Sequence, residues 1–112
     1  KTNNIKLILM TQPTTWDSKI SKEILKCHWM TGVGANKNTK YFESDLKKGM
    51  NEFNNVTTTI AYQHDLIVLD LATMVPASEK YFYDDCHFNN AGVDLASKLL
   101  SEMIIAKQLI SN

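Results

Sequence analysis

The chain is 112 residues long, enough for one hydrophobic core and too short for two. Its hydrophobic content of 44% and charged content of 21% are those of a globular domain, which excludes a disordered chain and a transmembrane one. Twelve basic residues balance twelve acidic ones, and every basic residue is lysine; without the arginine fork that grips guanine, phosphate or carboxylate, no nucleic-acid partner is expected.

The first element is the apolar run Ile5 to Met10, closed by Gln12-Pro13. A short continuous run of this kind predicts a strand buried on both faces, as in the middle of a parallel sheet. Ser18 is then a candidate cap for a helix through Ile20, Ile24 and Leu25 that ends near Trp29. Thr31 to Asn36 reads as a loop, since Gly32-Val33-Gly34 lacks the third glycine and the preceding strand of a dinucleotide-binding turn. Phe42, Leu46, Met50, Phe53, Val56 and Ile60 recur at helical spacing and predict a helix from about Tyr41 to His64, with Thr57-Thr58-Thr59 its weakest stretch.

Leu66 to Leu71 predicts a second buried strand, with Asp70 at its carboxyl end. The last element starts after Asn89 or Asn90 and carries Val93, Ala96, Leu99, Leu100, Met103 and Ile104 on one face, a helix of about five turns with Asn89 as its N-cap. Strand, helices, strand, loop, helix is the alternation of an open α/β sheet. Two parallel strands alone leave unpaired edges, so the pattern predicts part of a larger sheet, with self-association through the bare edge as a consequence. No apolar run approaches the roughly 20 residues of a membrane span. Lys1-Thr2-Asn3-Asn4 shows neither an initiator Met nor a signal sequence, so the expected start of the natural protein lies upstream and localisation is left open.

Chemistry concentrates in the connection between the second strand and the final helix, Tyr81 to Gly92, because loops beyond the carboxyl ends of parallel strands are where α/β folds build sites. Asp84 and His87 stand three residues apart, close enough for one turn to aim the carboxylate at an imidazole nitrogen. An ionised Asp84 accepting from one ring N–H fixes the tautomer and leaves the other nitrogen free as a general base.

In its setting, Asp84-Asp85-Cys86-His87-Phe88-Asn89-Asn90-Ala91-Gly92 resembles the last sequence block of the SGNH hydrolases, the GDSL-type esterases and lipases, and Ile5 to Pro13 is similar to their penultimate core strand and the loop behind it. Asp85, Cys86 and Phe88 depart from the small residue, aliphatic residue and proline common at those places in the family. The resemblance implies a flavodoxin-like α/β fold, a three-layer parallel sheet with helices on both faces, of which residues 1–112 form the C-terminal portion of a single domain with two strands and about three helices. It further implies a hydrolase of carboxylic esters, an esterase, lipase or acetylesterase, in which Asp84 orients and His87 serves as catalytic base and then acid. The serine of the Gly-Asp-Ser block and the glycine and asparagine of the oxyanion hole have no counterparts here. None of Ser18, Ser21, Ser44, Ser78, Ser97, Ser101 and Ser111 is assigned as nucleophile, and Gly34 and Asn36 are not given oxyanion roles. Those groups are expected in a missing N-terminal half, and the fragment alone is expected to be inactive.

The alternative is a noncatalytic SGNH-like interaction module. Neither metal nor cofactor is expected. Cys27-His28 and Cys86-His87, with Asp84 and Asp85, supply zinc-type ligands without the close pairing of a zinc signature, so Cys27 and Cys86 read as buried free thiols. Asp84-Asp85 cannot flank one bond, since neighbours point apart, and Asp85 reads as solvated. Asn55-Val56-Thr57 matches a glycosylation acceptor inside a helix and is discounted. Trp16, Trp29, Tyr41 and Phe42 are candidates to line an acyl or sugar pocket, within which the expected ligand is a small-molecule, lipid or carbohydrate ester.

Overall fold

Parallel pairing of two short strands organises the computed structural model, which describes residues 5–16, 20–32 and 41–110. Strands β1 (Ile8–Met10) and β2 (Ile67–Leu69) pair with Ile8 opposite Ile67 and Met10 opposite Leu69. Helix α1 spans Lys22–Leu25, α2 spans Glu43–Gln63, α3 spans Leu71–Met74 and α4 spans Asn90–Ala106. The architecture is therefore α/β, and the described residues form a two-stranded parallel sheet with four α-helices and a short 3-10 turn at Met30–Gly32.

Both strands are shorter than their apolar runs. Ile5 and Leu7 lie exposed before β1, and Met10 is about half exposed, because β1 has a ladder neighbour on one edge only among the described residues. The expectation of a strand buried on both faces is corrected accordingly. β2 ends at Leu69 because Asp70 turns the chain: its carbonyl accepts from the N–H of Thr73 and Met74, and Leu71 becomes the first residue of α3. Thr11 joins the two strand ends, its hydroxyl donating to Asp70 Oδ1 at 2.6 Å and accepting from the N–H of Ala72 at 2.9 Å.

Helix α1 is a single turn capped by Ser21, whose Oγ accepts from the N–H of Ile24. The cap expected at Ser18 lies outside the described residues, as do Gly34 and Asn36. The helix stops short of Trp29 because the chain tightens at Cys27 and His28, and the His28 ring is drawn inward. Helix α2 is continuous through its threonines. Thr57 and Thr58 hydroxyls donate to the carbonyls of Phe53 and Asn54, so these side chains satisfy themselves along the helix.

The buried side of α2 differs from the expected stripe. Phe42, Phe53, Val56 and Ile60 are exposed, whereas Leu46, Met50, Asn54, Thr58 and Ala61 face inward at four- and three-residue steps. The reason is polar: the Asn54 side chain accepts from the N–H of Gln12 and donates to its carbonyl, at 2.8 and 2.9 Å, and this amide lock fixes the rotation of α2 beside β1. Helix α4 follows its pattern more closely. Leu95, Ala96, Leu99, Leu100 and Met103 pack on a core of Ile24, Leu69, Leu71, Val75 and Phe82, with Val93 exposed. Asn89 caps the helix, its Oδ1 accepting from the N–H of Gly92 at 3.1 Å.

Candidate active site

The loop from Tyr81 to Asn89 closes on itself as a miniature hairpin. Phe82 and Phe88 form an antiparallel bridge, with their rings tilted at 5.0 Å between centroids. The Tyr83 N–H donates to the His87 carbonyl and the Asn89 N–H to that of Tyr81. Phe82 is buried in the core, so the base of the loop is anchored; at its tip Asp84 and Asp85 are buried and His87 is exposed.

At that tip Asp84 is almost saturated. Its Oδ1 accepts from the N–H groups of Cys86 and His87, at 2.9 and 2.7 Å, and its Oδ2 lies 2.8 Å from His87 Nδ1. Burial alone raises the Asp84 carboxyl. The two backbone N–H donors, then the imidazole's hydrogen bond and charge, outweigh burial and hold it below its ordinary value. A carboxylate that stays ionised in this position accepts from Nδ1–H, which puts the free lone pair of neutral His87 on Nε2. The Asp84 side chain is 10% exposed and that of His87 52%, and among the described residues nothing bonds Nε2. The Tyr83 ring stacks on the imidazole at 5.6 Å, 9° from parallel. Carboxylate inside, imidazole edge outside, is the geometry of an oriented proton acceptor.

Cys86 does not compete for that role. Burial, and then the nearby Asp85 and Asp84 carboxylates, push its thiol up to about 11, whereas a cysteine nucleophile needs a stabilised thiolate. Asp84, Cys86 and His87 do bring a carboxylate oxygen, a thiol and an imidazole nitrogen within 4.8 Å. Both Asp84 oxygens are already engaged and the thiol is held protonated, so the donor set suits the dyad better than a metal ion. Cys27 is exposed, with its sulfur 3.7 Å from the Glu23 carbonyl, and both cysteines are free; the expectation of buried thiols is corrected for Cys27 and only partly met by the half-buried Cys86.

Asp85 overturns its expected solvation. It is fully buried, because its Oδ2 accepts from the Met30 N–H at 2.9 Å and its carbonyl from the Thr15 N–H at 3.0 Å. The loop is thus sewn to the segment that follows β1. Gln12 Nε2 reaches the Cys86 carbonyl, and the Thr15 hydroxyl donates to the Asp84 carbonyl at 3.0 Å. Behind Thr15 stands a second imidazole, His28, with Nε2 2.8 Å from Thr15 Oγ1 and Nδ1 3.0 Å from Glu43 Oε1. Spacing gave no sign of Thr15, His28 or Glu43, which come from three separate elements.

Of the four aromatic candidates for a pocket, Trp16 and Phe42 line one cleft of about 550 Å³ with Glu43, Ser44 and Lys47, while Trp29 and Tyr41 do not border it. A second, more polar cleft of about 290 Å³ lies between Gln12, Asn51, Asn54 and the Val75-Pro76 turn. None of the serines in the described residues hydrogen-bonds His87, and none of the helices among them is long and apolar enough to cross a membrane. No family model, curated protein or solved structure matches the chain.

Proposed function

We propose that the chain carries the acid–base half of a serine-type carboxylic ester hydrolase of the SGNH kind, the C-terminal portion of a flavodoxin-like domain. The observation that carries this reading is the 2.8 Å contact of buried Asp84 with Nδ1 of an exposed His87, in the loop that leads from β2 toward α4. Nε2 takes the proton of a serine hydroxyl as that oxygen attacks the ester carbonyl, and Asp84 stabilises the imidazolium that forms. The same nitrogen then protonates the departing alcohol, leaving an acyl-serine. In the second half His87 deprotonates water, which attacks the acyl carbon and releases the acid and the serine. The serine and the oxyanion donors come from polypeptide outside these residues.

The test is hydrolysis of p-nitrophenyl acetate and butyrate by the chain alone and by the protein extended upstream, each beside its His87→Ala variant. Turnover in the extended protein that falls by about three or more orders of magnitude with the variant is the expected result. Near-wild-type turnover by His87→Ala removes His87 from the mechanism. A second reading, a noncatalytic module that associates through its sheet edge, draws on the exposed Met10 of β1 and the exposed Ile5 and Leu7 that precede it. It predicts a silent extended protein and a concentration-dependent mass in solution.

A further inference from the structure

Thr15, His28 and Glu43 form a hydroxyl–imidazole–carboxylate chain with distances of 2.8 and 3.0 Å, similar to those of a hydrolytic triad. It is sealed. Thr15 is fully buried and the His28 side chain is 1% exposed, so no substrate reaches the hydroxyl. The direction of its hydrogen bonds shows what it does instead.

A carbonyl can only accept, so the single proton of the Thr15 hydroxyl goes to the Asp84 carbonyl, 3.0 Å away. Thr15 Oγ1 must then accept from His28, which places a proton on Nε2. The opposite nitrogen, Nδ1, lies 3.0 Å from Glu43 Oε1. The two bonds through Thr15 therefore point one way, from His28 to the backbone of Asp84, and the imidazole is held at both ends, by Thr15 and by Glu43. The neighbouring peptide is held too, through Thr15 N–H to the Asp85 carbonyl and Met30 N–H to the Asp85 carboxylate.

We propose that Thr15, His28 and Glu43 are positioning residues for the Asp84–His87 dyad, an inference that rests on reading that dyad as the working one. Thr15 fixes the Asp84 peptide plane; His28 fixes the hydroxyl of Thr15; Glu43 fixes the ring of His28. With the peptide held, the Asp84 carboxylate has one orientation in which Oδ1 meets two N–H groups and Oδ2 meets Nδ1. Groups behind a catalytic imidazole act in the same way when they set its tautomer and orientation.

The test needs no ester. Long-range proton–nitrogen NMR correlations of the His87 ring, recorded on the 112-residue chain with the imidazole neutral, give the ratio of the Nδ1–H to the Nε2–H tautomer. Thr15→Val removes the hydroxyl at nearly constant shape, and Thr15→Ser keeps it. The expected result is a fall of about tenfold in that ratio for Thr15→Val, the worth of about one hydrogen bond, with recovery in Thr15→Ser. Glu43→Ala, at a half-buried position on the first turn of α2, serves if Thr15→Val does not fold; a fall of about threefold is expected there. A folded Thr15→Val or Glu43→Ala chain with the wild-type ratio overturns the proposal. Absence of ester hydrolysis in the extended protein, by contrast, would remove the enzyme reading and leave this measurement unaffected.

Discussion

A β-carbon on Gly92 would overlap the carbonyl oxygen of Tyr81 and come 2.8 Å from Phe88 Cδ1. The first turn of α4 is pressed against the base of the Tyr81–Asn89 loop, and the hydrogen atom of Gly92 is what allows it. The same carbonyl accepts from the Asn89 N–H, so it cannot retreat without breaking the hairpin.

Gly92→Ala is therefore expected to destabilise the fold by about 3 kcal/mol, beyond the gain alanine brings to an ordinary helix position. Urea denaturation measures it. A variant as stable as the wild type would mean that the loop shifts freely against α4.

Asp84 makes stability depend on acid. Its native carboxyl sits below the ordinary value of 3.8, so the stabilisation it provides is fully present above that value and is lost as the pH falls through the lower native one. Asp84→Asn cannot titrate. The difference in unfolding free energy between wild type and variant should hold steady just above 3.8 and narrow below it. A difference that stays constant to strongly acid pH would show that the carboxylate gains nothing from its donors.

Cys86 should be a slow thiol. With its acidity weakened from 9.0 to about 11, it holds about a hundredfold less thiolate at pH 8 than a free cysteine. Higher intrinsic nucleophilicity recovers part of this, so alkylation by iodoacetamide in a Cys27→Ser background is expected to run about tenfold slower than that of a cysteine peptide. Labelling at the peptide's rate would place Cys86 in a wetter, less acidic setting than the one seen.

The elements were legible wherever apolar spacing decided them. Helix α4 and its Asn89 cap follow from periodicity and from one side-chain oxygen placed to bond the N–H three residues on. The Asp84–His87 contact was legible because both partners lie in one turn. What spacing could not show was every polar tie between distant segments. Asn54 turns α2 so that Phe53 and Val56 face outward, and a hydrophobic pattern has no way to count an amide that binds backbone. Asp85 read as solvated because its partner, the Met30 N–H, belongs to a turn far away in sequence. The Glu43–His28–Thr15 chain was hidden for the same reason, as its three members meet only after the sheet and α2 are in place.

Tyr83 gives the imidazole of His87 a handedness. The phenol ring lies 9° from parallel over one face, and the Nδ1 edge is closed by Asp84 with the Cys86 sulfur 3.7 Å away. Among the described residues no hydrogen bond engages the Nε2 edge. In the ester-hydrolase reading proposed above, proton transfer would run in the plane of the ring along the Nε2 lone pair, so a hydroxyl would be presented edge-on, its bulk on the side away from Tyr83. On that reading the angle at which the hydroxyl approaches is restricted before any contact with the rest of a substrate is made.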